Sequence, residues 1–248
     1  MLRVNQLIGF GAGGGPQGIQ FVGGATAAKV GATSGNSTIA LDGGLTGGIS
    51  PSVADGDFVL AVYGMASNTS RTLAITDGTT GYTLVGSQLF ANSDTVDTNF
   101  RVGRKFVSGD TATTFGPTGN ANDPGAMGVY VFRGVDPTTP LDVSVVTATG
   151  INSAFPNFAA ITPSMKGAFI IAVAASGHIG GFDVYNTPSD LIGFQSVGGD
   201  DSIGGITIGM GHKADWVSGS FDPATWVHPD TNDISSWAAI TIALRPAA

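Results

Sequence analysis

The sequence predicts an all-β chain: an antiparallel β-sandwich, jelly-roll-like, built from two tandem homologous halves behind an N-terminal arm. Three observations carry that expectation. The first is composition. Of 248 residues 39 are glycine, and only 11% are charged, where soluble domains average about a quarter. Glycine supplies positive φ without steric cost, so this mixture suits short strands joined by many tight turns. The second is periodicity: no segment keeps a 3.6-residue apolar repeat for three turns, so helix content should be low. The third is an internal repeat. Ile49-Ser50-Pro51-Ser52 returns as Ile161-Thr162-Pro163-Ser164, and Phe58-Val59-Leu60-Ala61-Val62 as Phe169-Ile170-Ile171-Ala172-Val173. Val107-Ser108-Gly109 returns as Val217-Ser218-Gly219, and the apolar run ending at Arg133 as the one ending at Arg245, all at offsets of 110–112 residues.

Taken in chain order, residues 1–18 form the arm. An apolar start, with Leu2, Val4, Leu7, Ile8 and Phe10, runs into Gly9-Phe10-Gly11-Ala12-Gly13-Gly14-Gly15-Pro16. Such a stretch holds no regular structure unaided: the plain alternative is a frayed tail, and the favoured reading is an arm docked on its own domain or on a neighbouring subunit. The first half, 19–140, offers strands at Ile19–Val22, Ser37–Leu41, Asp57–Tyr63, Thr72–Thr76, Tyr82–Ser87, Asn99–Val107 and Ala126–Arg133. Turn sequences such as Asp42-Gly43-Gly44, Asp77-Gly78 and Asn122-Asp123-Pro124-Gly125 separate them. The second half, 141–248, offers Leu141–Ala148, Phe158–Ile161, Ala168–Ser176, Leu191–Ser196, Gly205–Lys213 and Trp237–Leu244. Phe58–Tyr63 and Phe169–Ala175 are apolar at nearly every position, whereas a sheet wet on one side alternates, so both faces of these strands should be covered. The junction Val135-Asp136-Pro137-Thr138-Thr139-Pro140 is short and proline-bearing, which favours two intimately packed halves over a flexible link.

Composition also excludes function classes. The net charge is −8 and the ten Lys and Arg are scattered, with only Arg101, Arg104 and Lys105 clustered, on what should be both faces of one strand. Nucleic-acid binding needs a basic stripe, so none is expected. No cysteine is present, which removes disulfides, thiolate catalysis and cysteine-held zinc. The longest apolar run, Ala168 to Ala175, is under half a membrane span, and the opening residues lack the apolar core of an export signal. A soluble protein made in a cytoplasm, or joining an assembly, is expected. So low a surface charge fits a chain whose surface is covered by copies or partners.

The chemistry-bearing residues are sparse. Gly9-Phe10-Gly11-Ala12-Gly13-Gly14 spells a dinucleotide fingerprint, yet no helix start and no acid some twenty residues on accompany it, so it reads as composition. His178, His212 and His228 share no ligand spacing; His212, beside Lys213 and matching Arg104 of the first half, reads as a surface residue. No nucleophile elbow is present, and glutamate is absent throughout, which leaves carboxylate catalysis little support. No cofactor is expected. A three-histidine zinc site is the weaker metal reading; the better candidate is loop calcium, at Asp94 with Asp97, Asp200 with Asp201, or Asp230 with Asn232 and Asp233, against the commoner use of Asp and Asn in turns. Trp226, in Asp222-Pro223-Ala224-Thr225-Trp226-Val227-His228-Pro229, is the candidate ligand-binding residue, an aromatic platform for a sugar; the competing reading closes the sandwich end with it.

Asp55-Gly56-Asp57-Phe58-Val59-Leu60-Ala61, Gly81-Tyr82-Thr83-Leu84-Val85, Arg101 to Ser108, and Val129-Tyr130-Val131-Phe132-Arg133-Gly134-Val135-Asp136 with Pro140-Leu141-Asp142 together carry a resemblance. Residues 37–143 resemble a broad group of β-sandwich structural proteins of tailed bacteriophages and bacterial surfaces, with a weaker echo in the second half. Asn5-Gln6-Leu7-Ile8-Gly9-Phe10-Gly11-Ala12 is similar to the starts of small phage structural proteins. Tyr82-Thr83 stands where that group more often has tryptophan-threonine, and the second half lacks the Arg-Gly-Val-Asp ending. The resemblance implies a non-enzymatic virion component, a capsid decoration protein, head fibre or tail accessory protein on the particle exterior. Its partners would be other virion proteins and copies of itself, reached through Leu2, Val4, Leu7, Ile8 and Phe10. The alternative is a carbohydrate- or receptor-binding module of a tail fibre or surface protein, with Trp226 against a host glycan.

Overall fold

A computed structural model describes residues 18–29, 36–93, 95–117, 123–151, 155–179, 184–200, 204–229 and 234–248. Among them there is no helix, and every strand pairing is antiparallel. The strands are β1 (Gln20–Lys29), β2 (Ser37–Ala40), β3 (Phe58–Ser67), β4 (Leu73–Thr76), β5 (Thr83–Leu84), β6 (Leu89–Ala91) and β7 (Asp97–Phe106). They continue as β8 (Ala112–Pro117), β9 (Gly125–Arg133), β10 (Val146–Ile151), β11 (Ala168–His178), β12 (Ile192–Asp200), β13 (Gly205–Trp216) and β14 (Ile234–Leu244). Three sheets result. The first runs β1-β9-β3-β7-β5 with β6 also on β7, the second β2-β8-β4, and the third β10-β14-β11-β13-β12.

The sheets stack with the first in the middle. In β3, Phe58, Leu60 and Val62 point one way and Val59, Ala61, Tyr63 and Met65 the other, as the two-residue period of a strand requires. The former meet Phe169, Ile171 and Val173 of β11, with Ile206, Ile208 and Met210 of β13 and Ile240 and Ile242 of β14. The latter meet Ile39, Leu73, Ile75 and Phe115 of the second sheet. Residues from either side of Pro140 therefore share one core. Phe132 of β9 and Phe169 of β11 meet edge-on across it, with ring centroids 5.2 Å apart. The sheets approach so closely at Gly64 that a Cβ there would lie 2.8 Å from Ile208 Cγ2 and 3.2 Å from Ala175 Cβ.

The outer face of the third sheet is closed by connecting segments. Ile170, Ala172, Ala174, Ala239 and Ala243 lie under Phe158, Ile161, Tyr185, Leu191, Phe221 and Trp226. The two predominantly apolar strands are thus covered on both faces, and every residue of β3 and β11 is buried. The segments Phe58–Val62 and Phe169–Val173 occupy the middle strand of their sheets, next to the strands that end at Arg133 and Leu244.

Some elements differ from the sequence expectation. Phe158–Ile161 is no strand; Ile161 makes a single bridge to Phe221 while Phe158 serves the cover over the third sheet. The strand expected from Leu141 begins at Val146, after Leu141 bridges to Leu244. β8 and β6 were not expected, and β1 runs on through Gly23 to Lys29 because β9 offers a full ladder to it.

Candidate functional site

An open apolar groove of about 420 Å³ lies at the end of the shared core where β1 begins. Ile19 and Phe21, the 47–49 turn, Phe169, Ile192, His212 and Ala214 line it. Its construction is local. β1 slips register between Phe21 and Gly23, and the Phe21 ring lies 5.0 Å from Tyr130 and 4.7 Å from His212. The 45–50 segment is held along the outer edge of β1, with Ile49 N–H donating to the Phe21 carbonyl (3.2 Å) and Ser50 N–H to that of Val22 (3.0 Å). β12 slips register after Ile192. Gly193 there has φ +59°, and a Cβ on it would lie 2.3 Å from His212 Cε1, so the position requires glycine. Ile49 and Ile192 are left 57% and 61% exposed on the groove walls.

His212 corrects the expectation of a surface residue. It is 3% exposed and stacks on Phe169 at 4.7 Å with the ring planes 29° apart. Its Nδ1 has no hydrogen-bond partner among the described residues, and burial lowers the imidazole to about 4. The ring is therefore neutral at physiological pH and acts as a flat, weakly polar core group. Ile206, Ile208, Met210 and His212 follow one another at every second position on one face of β13. That alternation was the signal, and the match to Arg104 pointed away from it.

The remaining histidines lie at the opposite end of β11. His178 and His228 have ring centroids 5.4 Å apart, and His178 Nε2 is 3.2 Å from Thr207 Oγ1. His212 is not with them, so the three do not form one site. Among the described residues no three His or Asp side chains converge as metal ligands would. Asp97 is buried as the acceptor of its own turn, taking Ser93 N–H at 2.7 Å and Asn92 Nδ2 at 3.1 Å. Asp94, Asp201, Asp230, Asn232 and Asp233, and the side chain of Asp200, lie outside the described residues.

Trp226 is corrected too. It is 1% exposed, with Phe158, Phe194 and Tyr185 packed round it at 4.7, 5.1 and 5.3 Å. Neither face of its ring is open to a sugar. The loop carrying it folds inwards because the outer face of the third sheet offers small residues, Ala172 and Ala174, that a large ring can cover.

The other polar groups serve turns and strand ends. Arg133 donates from Nε and Nη2 to the two oxygens of Asp57, both at 2.8 Å, and Asp57 also accepts from Ala54 N–H. Asp142 accepts from the N–H groups of Ser164 and Met165 and lies 3.5 Å from Arg245. Lys105 of the basic cluster bonds Asp77 and Asp110. Asp77 also takes hydrogen bonds from Thr79 and Thr80, and Lys105 first among these partners holds its carboxyl well below the usual range. Arg101 donates to the Leu73 carbonyl. A second, smaller cavity of about 190 Å³ is bounded by Ser67, Thr69, Arg71 and Asp123, with Arg71 Nε 2.9 Å from Asp123; nothing in the sequence singled it out. The attachment residues Leu2, Val4, Leu7, Ile8 and Phe10 lie outside the described residues.

No protein-family model matches this chain, and no curated protein or solved structure matches it significantly.

Proposed function

We propose that this chain is a non-enzymatic structural protein of a bacteriophage virion, attached through residues 1–18 and presenting the stacked sheets outwards. The observation that carries the reading is how the acidic and basic side chains are used. Asp57, Asp77, Asp97 and Asp142 are each held by an arginine, a lysine, or the N–H groups of a turn, and the open groove is apolar. That is the inventory of a scaffold. The resemblance of residues 37–143 to phage β-sandwich proteins gives the same direction, as a likeness of structural motifs.

The same reading takes the two halves as copies of one jelly-roll-like unit. Its support is the order β1-β9-β3-β7 facing β2-β8-β4, which an eight-stranded double Greek key would give with its remaining strand displaced to the edge of β7. The third sheet repeats the five-strand order with other segments covering its outer face. Copies of itself and other virion proteins are the partners this role needs, on the particle exterior.

The test is incorporation. A chain lacking residues 1–18 should be absent from purified particles while keeping the far-ultraviolet signature of a folded β-protein. Particles that carry the truncated chain at normal copy number overturn the role of the arm. Enzymatic turnover of a particle or host polymer by the purified chain overturns the non-enzymatic reading.

A further inference from the structure

We propose that the apolar groove beside β1 is the seat of the segment Leu7–Phe10 of the same chain. This rests on the arm named above and assigns it a docking place on its own body.

Three observations converge on this occupant. The first is where the described chain starts. Residues 1–17 precede Gly18, and the next residues, Ile19 and Phe21, themselves line the groove. Gly11 to Gly18 intervene between Phe10 and Ile19, a tether that spans up to about 27 Å when extended. Leu7, Ile8 and Phe10 can therefore fold back over the opening without disturbing β1.

The second is chemical fit. The groove is lined by aliphatic and aromatic groups with Gln20 and the neutral His212, and among the described residues no charged side chain borders it. The arm carries a single charge, Arg3, four residues ahead of Leu7. Ile49 and Ile192, 57% and 61% exposed on the groove walls, are the surface that an apolar segment would remove from water.

The third is mass action. A segment joined to its own groove through only eight intervening residues faces it at an effective concentration in the millimolar range. A second copy reaches that level only in concentrated solution or in an assembled particle. In the free protein the chain's own arm therefore wins the groove.

The experiment is nuclear magnetic resonance on the full isolated chain, with no particle present, so that its failure is separable from a failure of incorporation. Contacts are expected from the Phe10 ring protons to the methyl groups of Ile49 and Ile192, unchanged on tenfold dilution. In the full-length Leu7→Ser/Ile8→Ser/Phe10→Ser variant those methyl resonances should move, while signals from the second sheet stay in place. Absence of the contacts, or methyl resonances identical in the variant, overturns the proposal. So do contacts found only between differently labelled copies, which would assign the groove to a second chain.

Discussion

Thr98 of β7 and Ser236 of β14 lie with their hydroxyl oxygens 2.7 Å apart, fully buried, although 138 residues separate them in the chain. They form part of a relay between the first and third sheets. Gly177 N–H donates to Thr98 Oγ1 at 2.7 Å, and Ser236 Oγ donates to the Val96 carbonyl at 2.8 Å. β11 and β14 slip register between Gly177 and His178, beside this crossing. A buried polar chain of this kind is favourable only while every member has a partner. Thr98→Val keeps the shape but strands the Gly177 donor, so a loss of about 2 kcal/mol is expected. Thermal and urea unfolding of the variant measure it. Ser236→Ala in the same background should add less than it costs alone, because the two share one network.

Arg133 and Asp57 form an asymmetric pair. The Asp57 side chain is 2% exposed and that of Arg133 is 42% exposed. Removing the arginine leaves a buried carboxylate with Ala54 N–H as its one donor among the described residues, whereas removing the charge of the aspartate lets the arginine turn to water. Arg133→Met should therefore cost about 3 kcal/mol and Asp57→Asn about half of that. Equilibrium denaturation of both variants decides it, and equal losses would contradict the asymmetry.

His212 gives the fold a pH dependence of known sign. Burial lowers it to about 4, while in the unfolded chain it titrates near 6.5. The unfolded state takes up the proton first as pH falls. The contribution of a neutral His212 is thus complete above about pH 7, declines between 6.5 and 4, and is gone below. The loss amounts to about 3 kcal/mol. His212→Leu should flatten the stability profile in that window. His178 and His228 are present in both proteins and cancel in the comparison.

What the sequence made legible follows from how each segment is held. β3 and β11 announce themselves because burial on both faces forces an unbroken apolar run, Phe58–Val62 and Phe169–Val173. β8, Ala112–Pro117, has no such run: Phe115 is its one large apolar side chain in the core, and its inward neighbour is the buried Thr113, bonded to the Tyr82 hydroxyl. Gly23 and Gly24 hide the length of β1, since the ladder with β9 rather than side-chain propensity extends it. Trp226 lies in a connecting segment, as its proline-bearing surroundings indicate, but a loop sequence does not say which way its ring turns. The burial of His212 is legible in the alternation Ile206, Ile208, Met210, His212 along β13. The groove is not legible in the sequence, because it needs β1, β11, β12 and β13 together.

The central claim is that residues on both sides of Pro140 fold as one body around a shared core. All three tryptophans, Trp216, Trp226 and Trp237, lie after that residue, so their fluorescence reports the third sheet alone, while far-ultraviolet circular dichroism reports all three sheets. Urea unfolding followed by both signals is the direct measurement. The shared core predicts a single transition with coincident midpoints. Two steps, or a fluorescence midpoint displaced from that of the dichroism, would mean that the halves fold separately and would contradict it.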